Sequence, residues 1–439
     1  MSTPRNAVVV GAGLAGLAAA FRLTEQGWTV TVLESSDRSG GRVRGLARNG
    51  FVLDTGPTLI TDHYTEYLRL VDDLGLRHLV VDSSPLIGVV RDGQLHVLDA
   101  SRPVRSFLST KLLSARAKLR LLVRGLRLVR PLWKLNPYEL TSHLHYDTES
   151  MEQYLNRTFG QELNESLLAA VARGVTLSTP KEASVIEFFA GAVAATGTMQ
   201  NLIGGLEVLP AALAARLDVR RGCPVDSVHK TSDGVLVSYR DPAGAAHQLP
   251  ADACVITTRF TDAVELYPPL KEPGADLLYA TSYTGCYSLQ LMYDRRPGQE
   301  PFIVMVPKSD SAEIAAIFLE HVKAPDRAPA GHSHITVFFN PSDTPEIADR
   351  TDQQLTEVAT RFVESLFPEL AGHQRESELT RWDYAAHKGN VGYYRALGTF
   401  LRNHPADDPV QVAGDYLAVS GQESAVIAGV NAAKRLLSS

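Results

Sequence analysis

Cysteine is scarce in this chain of 439 residues: Cys223, Cys254 and Cys286 are the only three, widely spaced and without a Cys-x-x-Cys pair. That argues against a disulfide framework or a zinc site and suits a reducing, cytoplasmic setting. No run of about 18 apolar residues occurs, so no transmembrane helix is expected. An excess of positive charge is missing too. Lys and Arg number 43 against 49 Asp and Glu, a net charge of −6, which excludes a generally basic nucleic-acid binder. His332 and His334 would share one face of a strand, but nothing nearby completes a ligand set, and no metal is expected.

Acid is absent where base is dense. Residues 101–138 hold no Asp or Glu but ten cations: Arg102, Arg105, Lys111, Arg116, Lys118, Arg120, Arg124, Arg127, Arg130 and Lys134. Leu112, Leu119, Leu122 and Leu126 recur among them at helical spacing. Such a basic amphipathic stretch can lie on an anionic membrane, guide an acidic apolar substrate, or serve as a surface helix with snorkelling arginines.

What is present is globular: 44% hydrophobic residues, 24 prolines and 33 glycines, in a length that suggests two or three domains. The apolar run Ala7–Val10 stops at Gly11-Ala-Gly13-Leu14-Ala15-Gly16, a helix-like stretch follows, and a second apolar run, Trp28–Leu33, ends at Glu34. Gly11 permits the turn out of a strand, Gly13 lets backbone approach a pyrophosphate, and Gly16 lets the helix pack near the sheet. The helix N-terminus presents free N–H groups to phosphates. Glu34, 18 residues past Gly16, can accept both ribose hydroxyls and would repel a 2′-phosphate, which argues against NADP. The fingerprint has to be retained to work, so the N-terminal apolar stretch reads as structure and not as an address.

The next segment, Arg38-Ser-Gly40-Gly41-Arg42-Val43, resembles the Gly-Gly-Arg signature of two-dinucleotide-binding flavoproteins and selects FAD over NAD. A strand then enters a turn at Gly50-Phe-Val-Leu-Asp54-Thr-Gly56-Pro57-Thr58. Residues 139–200 look helical. Gly204-Gly205-Leu opens a strand-rich module with Pro224-Val225 and alternating residues around Val235–Tyr239. Strand-like runs recur at Cys286–Tyr293, Phe302–Val306 and Ile335–Phe339, and a helix is predicted over Asp352–Leu366. Val410 to Gly414-Asp415 reads as a strand, and Ser420-Gly-Gln422-Glu-Ser-Ala425-Val426 opens a final helix.

Taken in order, these motifs look like the flavin-containing amine oxidase superfamily, which also holds protoporphyrinogen oxidases and phytoene-desaturase-like enzymes. The resemblance implies an α/β fold: a discontinuous Rossmann-like FAD domain (1–83, 201–264 and 382–439) and an α+β substrate domain with a mixed sheet and a helical insertion (84–200 and 265–381). It implies cofactor contacts at Gly11, Gly13, Leu14, Ala15, Gly16, Glu34, Ser35, Gly41, Arg42, Gly56, Pro57, Thr58, Val225, Trp382, Gly414, Asp415, Gln422, Ala425 and Val426. The last helix would aim its N-terminus at the flavin pyrimidine edge, stabilising negative charge there on reduction.

The departures from the family are equally specific. Many amine oxidases of the group carry a lysine on the strand facing flavin N5, and Tyr283–Gln290 has none. The covalent-flavin cysteine would fall near Val391, so FAD is expected to be non-covalent. The paired aromatic cage would fall at Gly392, with Tyr393 one residue off, and at Gly421 or Gln422. Tyr287, Lys388 and Tyr393 are the catalytic candidates, with Lys388 a stand-in for the missing strand lysine; Tyr384 and His387 lie in the same flanking segments. The implied reaction is hydride transfer from a bulky, largely apolar small molecule to flavin N5, by C–C desaturation or C–N oxidation, with reoxidation by O2. The alternative is a flavin-binding protein without a redox cycle, such as a carrier, chaperone or isomerase. The oligomeric state is not legible; the setting is cytoplasmic, with peripheral membrane contact through 101–138 as an option.

Overall fold

A strand fully buried on both faces needs no polar alternation, and Ala7–Val10 has none. In a computed structural model that describes residues 5–132, 136–139, 143–341 and 344–438, Asn6–Val10 is the middle strand of a five-stranded parallel sheet. The order is Asp218–Arg220, Thr29–Leu33, Asn6–Val10, Ala253–Ile256, Val410–Val412. Three separated stretches of chain therefore build one nucleotide-type sheet. Lys134, the last cation of the basic stretch, lies outside the described residues.

The helices Leu14–Glu25 and Gln422–Ser438 pack against each other beside this sheet, where Leu17, Ala18, Val426 and Val430 share one buried core. Small residues set the separation. A Cβ on Gly16 would collide with the Gly11 carbonyl oxygen, and one on Gly429 with the Ala15 carbonyl oxygen. An antiparallel meander, Val225–Thr231, Gly234–Arg240 and Ala246–Ala251, follows the Pro224-Val225 step.

The second sheet has seven strands, ordered 374–387, 283–293, 333–339, 314–319, 303–305, 86–91 and 94–99. All its pairings are antiparallel except that of Ile303–Met305 with Leu86–Arg91. Alternate residues feed two cores. Leu289, Leu291, Ile335 and Val337 pack under the helix Asp352–Leu366, which a Thr351/Gln354 capping box starts where the sequence predicts. Ile303, Met305, Ala316 and Phe318 pack under the helical insertion with Leu112, Met151 and Leu155. The predicted α/β architecture, with its mixed sheet and helical insertion, is the one observed.

Some elements differ from expectation. Residues 201 and 382 lie inside the strands Met199–Leu202 and Gln374–His387. The latter strand is polar because it is a sheet edge, where charged side chains face water. The hairpin Leu86–Arg91/Gln94–Asp99 was not foreseen, although Asp92-Gly93, with φ of 53° and 71°, is the type of dipeptide that a two-residue turn requires.

Gly429→Ala gains roughly 1 kcal/mol of helix propensity but drives a methyl into a backbone oxygen that cannot rotate away, and overpacking of that kind costs about 1–3 kcal/mol. The clash wins, so the variant is expected to unfold at lower temperature than wild type in calorimetry. An unchanged or raised midpoint would contradict the packing described here.

Candidate active site

Four hydrogen-bonded links gather the expected cofactor segments. The Gly40 N–H donates to the Ala12 carbonyl at 2.8 Å, laying the Gly-Gly-Arg loop along the glycine turn, and a Cβ on Gly41 would come 3.2 Å from Gly13 Cα. Arg42 pairs in bidentate fashion with Asp415, Nη2–Oδ1 at 2.6 Å and Nη1–Oδ2 at 3.0 Å, tying residue 42 to the Gly414-Asp415 turn. Trp382 Nε1 donates to the Thr55 carbonyl at 2.7 Å, and Gln422 Nε2 to the Leu59 carbonyl at 2.9 Å. The loop holding Gly56, Pro57 and Thr58 is thus fastened to the strand Gln374–His387 and to the last helix.

Glu34 ends the strand Thr29–Leu33. Its Oε2 accepts from the Ala12 N–H at 2.7 Å and its Oε1 from the Ser36 N–H at 2.8 Å, with Ser35 Oγ 3.3 Å away. The Glu34 carbonyl accepts from the Cys223 N–H at 2.8 Å, which brings Val225 alongside. Burial disfavours charge on Asp415, yet Arg42 and His387 hold its carboxyl far below the ordinary range. Ser420 Oγ donates to it at 2.9 Å.

These residues fit FAD. Gly11 turns at φ 101°, and a Cβ on Gly13 would meet nothing within 4 Å. The helix Leu14–Glu25 has no capping side chain and no acid in its first turn, leaving the N–H groups of Ala15 and Gly16 to a ligand. Gln422 Oε1 is buried without a partner among the described residues. Among those residues the N–H groups of Gly56, Thr58 and Leu59 also find no acceptor. Ala425 and Val426 lie in the first turn of the last helix.

The catalytic candidates are not gathered in the same way. Tyr287 faces the opposite side of its strand, toward the helix Asp352–Leu366, under the guanidinium of Arg381 at 4.4 Å. Strand alternation is the reason: Ser288 and Gln290 take the side facing Asp54, and Gln290 Nε2 donates to the Asp54 carbonyl at 3.3 Å. Tyr393 is buried, and its hydroxyl donates to the Tyr416 carbonyl at 2.7 Å. Its ring stacks on His387, whose Nδ1 is 3.8 Å from Asp415 Oδ2. Lys388 directly follows the strand end, its N–H bonded to the Ser282 carbonyl. Tyr384 is half exposed, with the Arg259 guanidinium 3.6 Å above its ring.

One cluster escaped the sequence reading. Glu320, Lys323, Arg327, His334, Thr336 and Gln290 are fully buried between the seven-stranded sheet and the Asp54–Leu59 segment. His334, to which the sequence gives no role, has its Nε2 2.6 Å from Gln290 Oε1. Burial, against the pull of Glu320, pushes the His334 ring down to about 3.

Residues 14–437 match the family profile described as flavin containing amine oxidoreductase. Protoporphyrinogen oxidase 2 of Arabidopsis thaliana is 31% identical over 187 residues, 42% of this chain and 35% of that protein. The chain thus spans about a third of the length of that relative. Coproporphyrinogen III oxidase of Bacillus subtilis is 21% identical over 90% of this chain and 89% of its own. A solved structure of putrescine oxidase bound to putrescine superposes with a TM-score of 0.79 at 17% identity, covering 100% of both chains.

His334 also makes stability depend on pH. The folded ring stays neutral, whereas an unfolded histidine binds a proton below about 6.5, so acid favours unfolding. Stability should fall by up to about 1.4 kcal/mol per pH unit from about pH 6.5 toward pH 3. His334→Gln is expected to flatten that slope in denaturant titrations, and an identical slope in the variant would contradict it.

The chain belongs to the flavin containing amine oxidoreductase family, and its residues fit FAD as the cofactor.

Proposed function

We propose that the protein oxidises a bulky, largely apolar small molecule, by C–C desaturation or C–N oxidation, with FAD held non-covalently and reoxidised by O2. The observation that carries this reading is the face of strand Tyr283–Tyr293 turned toward the Asp54–Thr58 loop. It presents Ser288 and Gln290, both buried, and no lysine. Gly392, with Tyr393 one residue off, and Gly421 or Gln422 stand where amine oxidases of the group have paired aromatics. A site without a strand cation or an aromatic cage suits a substrate recognised by shape and apolar burial more than one recognised by an amine. The relatives include oxidases named for porphyrinogens as well as for amines, which fits either bond type.

When bound, FAD supplies the hydride acceptor. The glycine turn Gly11–Gly16 and its helix N-terminus would hold the diphosphate, and Glu34 with Ser35 would hold the ribose. Val225 would flank the adenine. The loop Gly56–Thr58, fixed by Trp382, would lie beside the flavin ring, with Gly41, Arg42, Gly414 and Asp415 closing the cradle. Gln422, Ala425 and Val426 would meet the pyrimidine edge at the positive end of the last helix. Lys388, at the strand end, is the one catalytic candidate retained, as a proton carrier if the substrate loses a proton together with the hydride.

The test is anaerobic mixing of holoprotein with a panel of porphyrinogens and apolar amines, followed through the visible flavin band. Bleaching by at least one panel member is expected. A flavin that dithionite reduces but no panel member bleaches would favour the non-redox carrier, chaperone or isomerase.

The basic stretch adds a partner: we propose peripheral docking of this cytoplasmic protein on an anionic lipid bilayer. Among the described residues no helix is long and apolar enough to cross a membrane. Val104, Leu108, Leu119 and Leu122 are nevertheless 71, 68, 62 and 57% exposed. On helix Ala115–Leu132 the side chains at 119, 122 and 123 form an outward stripe beside Arg116, Arg120 and Arg124, while Ala117 and Leu121 pack inward. Arg105, Lys111, Arg116 and Arg124 make no ion pair among the described residues, so the face is complementary to lipid phosphate. Co-sedimentation with phosphatidylserine-containing vesicles is expected at low salt and should fade as salt is raised. Failure to sediment at low ionic strength would remove this partner.

A further inference from the structure

Two ion pairs lie fully buried between the sheets: Lys323 Nζ is 2.8 Å from Glu320 Oε1, and Arg327 Nη2 is 2.8 Å from Asp54 Oδ2. Taking four charges out of water is expensive, and apolar residues of similar volume often serve stability as well or better. Stability alone therefore gives no reason for them. Where their donors end is more informative. Lys323 Nζ also reaches the Thr58 carbonyl at 3.3 Å, which accepts from Asn201 Nδ2 at 2.8 Å as well. Arg327 in turn holds Asn201 Oδ1. Thr336 Oγ1 lies between Glu320 Oε1, at 2.8 Å, and Gln290 Oε1, at 2.6 Å, and Gln290 passes its amide to the Asp54 carbonyl. The network thus begins on strands of the seven-stranded sheet and ends on the carbonyls at both ends of the Asp54–Leu59 loop.

We propose that Glu320, Lys323 and Gln290 are positioning residues that clamp this loop from behind by its carbonyl groups, so that its opposite edge is held in a fixed shape for FAD. The clamp rests on the reading that the loop borders the flavin ring. It carries the placement of the sheet Gln374–His387 to Gln94–Asp99 directly into the cofactor cradle. Loss of Lys323 alone leaves the Glu320 carboxylate buried without its cation, which destabilises the whole protein. Removing both charges together separates folding from positioning.

The informative variant is therefore Glu320→Gln/Lys323→Met, studied as apoprotein by calorimetry and as holoprotein by FAD titration and bound-flavin fluorescence. The expected result is a melting temperature of the apoprotein close to wild type, an FAD dissociation constant about tenfold weaker, and brighter emission per bound flavin. Glu320→Gln/Lys323→Gln, which keeps an amide donor near the Thr58 carbonyl, should recover most of the affinity. A double variant that binds and quenches FAD as wild type does overturns the clamp. So does one that melts lower with unchanged FAD affinity, since that is a purely structural effect. Should the double variant fail to fold, Gln290→Leu releases the Asp54 carbonyl and is read the same way. Wild-type apoprotein that takes up FAD without quenching its emission would instead defeat the placement of the loop beside the flavin.

Discussion

The fork of Arg42 onto Asp415 is the interaction on which the remaining architecture turns. It joins residues separated by most of the chain, and it is made where burial alone would have discouraged charge on the carboxylate. A guanidinium has two parallel N–H groups to offer, so the pair fixes orientation as well as distance. Around it the Gly-Gly-Arg loop, the Gly414 turn and the end of strand Gln374–His387 acquire one relative position, since Arg42 also donates to the Ala385 carbonyl. The glycine-rich loop, the Gly414 turn and the edge strand of the seven-stranded sheet therefore share a common anchor.

Much of the half built on the five-stranded parallel sheet could be read from residues because its requirements are local. A strand, a glycine turn, a helix and a strand-end acid occupy consecutive stretches, and each needs particular side chains or none. Glu34 lies where the spacing put it, although its oxygens are also tied to the Ala12 and Ser36 N–H groups, a detail no spacing could convey. The helix Asp352–Leu366 was legible for the same reason, with apolar residues on one face and a Thr/Gln capping box at its start.

The seven-stranded sheet was harder. Ile314–Leu319 is uniformly apolar and fully buried, a pattern that a helix segment would share. Gln374–His387 is rich in charged and polar residues, because its outer edge faces solvent. Tyr287 illustrates a finer limit. That it sits on a strand was readable, but which face it takes depends on register, and a shift of one residue exchanges the two faces. Glu320, Lys323 and Arg327 were invisible for a different reason: charged residues are almost always exposed unless paired, and although Glu320 and Lys323 are near in sequence, Arg327 meets Asp54 only through the tertiary fold.

The seating of Gly429 against the Ala15 carbonyl has a kinetic consequence. The first helix finds its neighbour only when the last one has been made, so the nucleotide fold cannot close while its early strands emerge from a ribosome. At roughly 5–20 residues per second, translation leaves Asn6–Leu33 waiting for tens of seconds with apolar surface uncovered. During that interval the nascent chain is at its most vulnerable to aggregation and to chaperone capture, and the contact that ends it is formed by a residue with no side chain.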